Sequence, residues 1–155
     1  MSYDVVPIMN VIRRSIARWR MRRALQSGRQ ISFEEAARLW RLSDTIYIGP
    51  VGPAARLLPE YELYQKFADD LGVTNTEIIG LLEHKSPSVA GYGLELLIRR
   101  RAEGLEDAAL KLAGRLELVT MGITSFVSYS PLCEYAQNRL QEAQQDAAGN
   151  PLPDM

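Results

Sequence analysis

Hydrophobic residues recur at helical spacing along most of this 155-residue chain. The first stretch runs from about Val5 to Gln26, and its apolar residues three and four positions apart form one stripe: Ile8, Ile12, Ile16 and Trp19. This spacing places the side chains on one face of an α-helix. We expect this stripe to dock the helix on the core of the domain.

Signals for helix starts divide the rest of the chain. Ser32 and Thr74 are each followed three residues later by Glu, which is the spacing of a capping box. Pro59 and Pro87 suit the first turn of a helix, where an amide proton would be unpaired in any case. With the apolar periodicity, these signals predict helices over residues 32–42, 59–71, 74–82, 86–104, 105–117 and 130–147.

Two segments fit the helical pattern less well. Val119 to Val127 has apolar spacing that suits either a helix or a strand, and we predict a helix because no other segment has a convincing strand pattern. Ile46-Tyr47-Ile48 has no evident partner strand, and nearby glycines and prolines indicate a loop. We therefore predict one all-α domain over 1–148, divided into a basic helical pair (1–43), a loop (44–58) and a further helical part (59–148), with a disordered tail over 149–155.

Two segments in the second half of the chain are similar to each other. Their Ser-Pro pairs, Ser86-Pro87 and Ser130-Pro131, lie 44 residues apart, and the tyrosines that follow, Tyr92 and Tyr135, lie 43 apart. Helices that begin in this way, with apolar residues at these positions, resemble the second helix of HEAT-type repeats over residues 74–147. The resemblance implies a short α-solenoid of stacked helical hairpins, an architecture that presents a surface for binding rather than a pocket for chemistry.

Composition and charge narrow the class of protein. The single cysteine excludes an internal disulfide, and no apolar run reaches the roughly 20 residues of a membrane-spanning helix, so we expect a soluble, cytoplasmic protein. The formal net charge of −1 hides an asymmetry. Residues 1–42 contain nine arginines, no lysine and three acids, whereas residues 43–155 contain nine basic and 16 acidic residues. The basic part should attract either the acidic part or a partner.

Few sequence motifs indicate catalysis or the binding of a nucleotide or metal. The chain has no phosphate-binding loop, and Gly91-Tyr92-Gly93 falls inside a helical pattern, where it predicts close approach of a neighbouring backbone. His84 and Cys133, the single residues of their types, lack the spacing of metal ligands, so we expect no metal or cofactor. His84 is interpreted as a cation at the end of a helix, with a general base as the alternative. Cys133 is interpreted as a core residue, with a reactive thiol near a helix N-terminus as the alternative.

The arginine-rich first helix gives the strongest indication of function in the sequence. Three interpretations stay open: it binds an acidic surface of its own fold or of a protein partner, it lies on anionic lipid, or it binds nucleic acid. The acidic remainder of the chain argues against a dedicated nucleic-acid-binding protein. The candidate basic patch consists of five arginines: Arg13, Arg14, Arg18, Arg20 and Arg22.

Taken together, these patterns predict a protein-binding module that is not an enzyme. Small HEAT-like modules resemble bacterial immunity or antitoxin-type proteins, which implies occlusion of a partner's active site by a helical face. If exposed, the following aromatic and acidic residues are candidate contacts: Tyr47, Glu60, Tyr61, Glu62, Tyr64 and Tyr129. The alternatives are an adaptor that binds nucleic acid or an anionic membrane through the basic patch, and an enzyme built around His84 or Cys133.

Overall fold

The computed structural model describes residues 8–51, 57–124 and 126–149, and it confirms a mostly helical protein. In these ranges the chain forms seven helices and three strands: α1 (Ile8–Gln26), α2 (Phe33–Ser43), β1 (Ile46–Val51), α3 (Pro59–Ala68), α4 (Asn75–Leu81), α5 (Pro87–Arg99), α6 (Leu105–Leu110), β2 (Leu118–Thr124), β3 (Phe126–Pro131) and α7 (Leu132–Gly149). None of the described helices combines the length and hydrophobicity needed to cross a bilayer. Apart from Gly149, which ends α7, the predicted disordered tail lies outside the described residues.

The helix starts predicted at Ser32, Pro59, Thr74 and Ser86 are confirmed, with one difference at α2, whereas the start predicted at Ser130 is wrong. The Thr74 side chain accepts a hydrogen bond from the Glu77 amide, and the Glu77 carboxylate accepts one from the Thr74 amide, which completes the capping box of α4. At α2 the Ser32 hydroxyl accepts from the Glu35 amide at 3.1 Å. The Glu35 carboxylate, however, pairs with Arg29 at 2.6 Å instead of reaching back. Half of this capping box is therefore replaced by an ion pair.

The predicted helix over Val119–Val127 is wrong, as is the assignment of the whole of 44–58 to a loop. Strands β1, β2 and β3 form one sheet in that order, with β1 parallel to β2 and β2 antiparallel to β3. Ile46 is paired with Met121, so the missing partner of the first extended segment lies far along the sequence. Since an isolated strand leaves its backbone groups unpaired, each segment forms a strand only because the others are present.

The second Ser-Pro pair has a different setting from the first. Ser86 caps α5 and Pro87 is its first residue, whereas Ser130 and Pro131 are the last residues of β3 and α7 begins at Leu132. The helix predicted over 105–117 is also too long, because α6 ends at Leu110 and turns follow it. The stacking of helical hairpins in the HEAT manner stays a prediction.

Helix α5 lies at the centre of the core. Every residue from Ser88 to Leu97 is buried, as expected for a helix that is surrounded on all sides. The Tyr92 ring stacks on the Trp40 indole of α2 with a centroid distance of 4.6 Å, and the Tyr64 ring of α3 lies 6.4 Å from Tyr92. Aromatic contacts therefore join α2, α3 and α5.

The predicted close approach of a neighbouring helix is confirmed at Gly93, whereas the neighbours of Gly91 are side chains. A Cβ atom at Gly93 would lie 2.9 Å from the Leu81 Cβ atom and 3.3 Å from the Ile78 carbonyl oxygen, both in α4. A Cβ atom at Gly91 would overlap the side chain of Ile46 in β1. The missing side chains thus let α5 approach α4 on one side and the sheet on another.

We predict that Gly93→Ala destabilises the protein although alanine favours the helix. The propensity gain of about 1 kcal/mol is outweighed because Leu81 Cβ and a backbone oxygen cannot move aside locally, and overpacking of this kind costs about 1–3 kcal/mol. The matched control is Gly80→Ala in α4, where an added Cβ meets no atom within 4 Å and the free energy of unfolding should rise. Urea unfolding of both variants measures the difference; equal stabilisation of the two would contradict the close approach.

Candidate functional site on the first two helices

Helix α1 is rotated by about half a turn from its predicted orientation. Of its described side chains, those of Ala17, Met21 and Ala24 are buried. Ile12, Ile16 and Trp19 are 48%, 44% and 57% exposed, so the expectation that they dock on the core is wrong. Ile8 belongs to the same predicted stripe, but its side chain lies outside the described part of the structure. The small side chains of Ala17 and Ala24 let α1 lie close against its neighbours α2 and α3.

A buried ion pair accounts for this rotation. The Arg18 Nε atom donates to Glu60 Oε1 at 2.8 Å, and the Arg18 Nη2 atom donates to the Tyr47 hydroxyl at 2.9 Å. Glu60 is completely buried and also accepts a hydrogen bond from the Ser43 hydroxyl at 2.7 Å. Burial alone would lower the pKa of Arg18, but the charge and hydrogen bond of Glu60 outweigh it and raise that pKa. Arg18 must face inward, which turns the isoleucine stripe outward.

The five arginines of the predicted basic patch therefore fall into two groups, exposed and half-buried. Arg13, Arg20 and Arg22 are exposed, as the prediction requires. Arg18 is committed to Glu60, and Arg14 is half-buried with its Nε atom donating to the Ser43 carbonyl at 3.3 Å. The first three are available to a partner, while Arg18 is half-buried and held by Glu60.

The predicted aromatic and acidic contacts need correction. Tyr47, Tyr64 and Glu60 fail the condition of exposure because they are buried, each with a partner inside the protein. Tyr61 is half-buried and stacks on Tyr64. The remaining candidates, Glu62 on α3 and Tyr129 on β3, are exposed on different elements. These six residues do not form one exposed surface.

The outer face of α1, defined as Ile12, Ile16 and Trp19, is an exposed apolar stripe with arginines around it. The residues have the i, i+4, i+7 spacing of a helix face that inserts into a groove. The Arg23 guanidinium lies over the Trp19 ring at 5.1 Å from its centroid, a cation–π contact that orients both side chains. The described part of α1 contains six arginines, no lysine and no acid.

A concave site lies on the other side of α1. This arginine cavity, of about 540 Å³, is bounded by Arg13 and Arg14 of α1, Arg38 and Arg41 of α2, and Ser86 at the start of α5. Among the described residues that line it, Asp44 is the one acidic residue. Sequence patterns did not point to Arg38 and Arg41, although their spacing of three residues on α2 places them on one helix face.

His84 lies outside a helix and is a hydrogen-bond acceptor. Helix α4 ends at Leu81, and the His84 Nδ1 atom accepts from the Ser86 amide at 3.0 Å, so the predicted cation in a last helical turn is wrong. Burial, then the charges of Arg41 and Arg115, lower the pKa of His84. Cys133 is half-buried in the first turn of α7. Across the described residues no three His, Cys, Asp or Glu side chains are grouped closely enough to hold a metal ion.

Comparisons with protein-family models, with curated proteins and with solved structures found no match to this chain.

We predict that Arg18→Met lowers the free energy of unfolding by about 3 kcal/mol, because it leaves the buried Glu60 carboxylate without its cation. The control is Arg22→Met on the exposed side of the same helix, which should change stability by less than about 0.5 kcal/mol. Urea unfolding at neutral pH measures both. Similar values for the two variants would show that the ion pair does not hold α1.

We predict that His84→Asn removes part of the pH dependence of stability. In the wild type the folded-state pKa lies below the ordinary value of 6.5, so the unfolded chain binds the proton first as the pH falls. The contribution of neutral His84 to the free energy of unfolding is therefore fully present above pH 6.5 and is lost as the pH falls through the folded-state pKa. Unfolding measured between about pH 7.5 and 5 should show a steeper decline for the wild type. Parallel curves for the two proteins would contradict the lowered pKa.

Proposed function

We propose that this protein is a non-catalytic protein-binding module, and that the outer face of α1 inserts into an apolar groove with acidic edges on its partner. The single observation that carries the proposal is the outward position of Ile12, Ile16 and Trp19. An isoleucine pair and a tryptophan at helical spacing expose apolar area along one line, and such surfaces mark interaction sites.

The composition around the stripe fits a protein interface. Tryptophan and arginine are the residue types that most often dominate binding energy, and lysine is depleted at interface centres. Helix α1 has arginines and no lysine, and the cation–π contact between Arg23 and Trp19 reduces the side-chain freedom that binding would otherwise remove. Exposed Arg20 and Arg22 would steer an acidic rim toward the helix.

The other two partners considered for this helix fit less well. A helix that lies in a lipid interface needs a broad apolar face, whereas this stripe is one to two side chains wide and Arg23 reaches over Trp19. Nucleic-acid backbones are bound by cations and hydrogen-bond donors, which gives Ile12 and Ile16 no role. An acidic remainder of the chain would also repel an extended polyanion.

A non-catalytic role agrees with the use of His84 in the fold. Its Nδ1 atom holds the Ser86 amide, which positions the N-cap of α5. The immunity- or antitoxin-type role, with occlusion of a partner's active site, and the stacked HEAT-like arrangement remain predictions. Insertion of a convex helix into a groove is one way to occlude such a site, and the proposal does not require a solenoid.

The experiment begins with co-purification of the full chain from its native host, followed by separate purification of any partner found at near-equal stoichiometry. Calorimetry with that purified partner then compares the wild type with Ile16→Ala/Trp19→Ala. We expect affinity to fall at least about 30-fold, because two exposed anchors of this kind contribute more than about 1 kcal/mol each. Both side chains are outside the core, so the variant should fold normally.

The matched control is Leu71→Ala/Leu110→Ala, which removes two exposed apolar side chains from other elements and should leave affinity unchanged. Equal losses for the two double variants would contradict docking through α1. A separate measurement tests the wild type, without any partner protein, for binding to vesicles of phosphatidylcholine and phosphatidylglycerol and to duplex DNA. If it binds either of them and the binding depends on Trp19, the adaptor alternative replaces the proposal.

A further inference from the structure

The arginine cavity gathers positive charge that the described residues lining it do not neutralise. The described residues that line it include four arginines and one aspartate, whose formal charges sum to +3. Arg38 also lies 3.6 Å from Glu34, but both side chains are mostly exposed, and surface pairs of this kind contribute little. In a concave site with protein walls these guanidinium groups repel each other and focus a positive potential.

The start of α5 adds to this potential. Ser86 and Pro87 line the cavity and are the N-cap and first residue of a 13-residue helix, whose N-terminus carries partial positive charge. Two of the four arginines come from α1 and two from α2, so the cavity is lined by arginine from two helices. A bound anion could thus receive hydrogen bonds from more than one direction.

Size and lining indicate the class of ligand. A volume of about 540 Å³ lies within the range of small-molecule sites and exceeds the needs of one phosphate. Arginine forks match the oxygens of a phosphate group in pairs. No aromatic side chain is among the described residues that line the cavity, so nothing there is suited to stack on a nucleobase.

We propose that the arginine cavity binds a small ligand that carries several linked phosphate groups, and that it recognises the phosphates rather than any base attached to them. Inorganic tripolyphosphate and ATP should then bind with similar affinity. The site is separate from the outer face of α1, because Ile16 and Trp19 do not line it. The proposal therefore stands or falls independently of the proposed protein partner.

The test is calorimetry of the full chain with tripolyphosphate, ATP and citrate at about 150 mM salt, where weak surface binding is screened. The variant is Arg38→Gln/Arg41→Gln, and both side chains are exposed, so the fold should persist. We expect both polyphosphates to bind the wild type and to bind the variant at least about tenfold more weakly, since charge-assisted hydrogen bonds are lost. Citrate should bind more weakly than tripolyphosphate.

A matched control removes the same amount of charge elsewhere. Lys66→Gln/Arg99→Gln changes two exposed cations, one in the last turn of α3 and one in the last turn of α5, and should leave tripolyphosphate affinity within about twofold. Absence of polyphosphate binding by the wild type, equal losses in the two variants, or citrate binding as tight as tripolyphosphate would each overturn the proposal.

Spectroscopy of the unaltered protein provides a second measurement. Addition of tripolyphosphate should first shift the backbone amide resonances of residues that line the cavity, namely Ser86 before α5 and Ser43 and Asp44 at the end of α2. Shifts confined to the outer face of α1 would place the anion elsewhere and overturn the proposal even if the double variant did not fold.

Discussion

The contact between Arg18 and Glu60 determines how the first helix is presented. Glu60 lies in the first turn of α3, has no exposed surface, and is held by Ser43 and Arg18 from two other elements. A carboxylate in that position without a cation would be costly, so the rotation of α1 about its axis is set by charge rather than by apolar area. Hydrophobic burial alone would favour the opposite rotation, with Ile12 and Ile16 inside.

The other terminal helix is held by the same kind of contact. Arg139 of α7 makes a two-pronged ion pair with Glu95 of α5, at 2.6 Å and 3.0 Å, and Glu95 is almost completely buried. Helix α7 buries few of its own residues, namely Leu132, Tyr135 and Ala136. Both ends of the described chain are thus attached to the core by an arginine that reaches a buried glutamate. Weakly amphipathic helices can in this way be oriented with little apolar surface.

Local signals in the sequence were sufficient to predict most of the helices. They could not predict which strands pair, because strand pairing joins segments that are far apart in the sequence. The structure confirms the helix caps at Ser32, Thr74 and Ser86, which depend on residues a few positions away in the sequence. It also confirms the close approach at Gly93, which depends on the absence of a side chain there. The pairing of Ile46 with Met121 depends on two segments far apart in the chain. Each segment alone had too weak a pattern to indicate a strand.

The candidate site was predictable in part, for a similar reason. An arginine-rich helix can be recognised from composition, and Arg13, Arg20 and Arg22 are indeed exposed. The inward turn of Arg18 depends on Glu60, which lies 42 residues away and which sequence patterns placed on the surface. A single buried charged residue produces no repeating pattern in the sequence. The spacing of apolar residues alone therefore could not predict which face of α1 is exposed to solvent.

The complete burial of α5 has a consequence for how the chain acquires its structure. Helices from both the earlier and the later parts of the sequence pack on this one segment, so neither part contains an independent core. During synthesis on the ribosome the first two helices emerge without the surface that shields Trp40, and stable tertiary structure must wait until Pro87–Arg99 has left the exit tunnel.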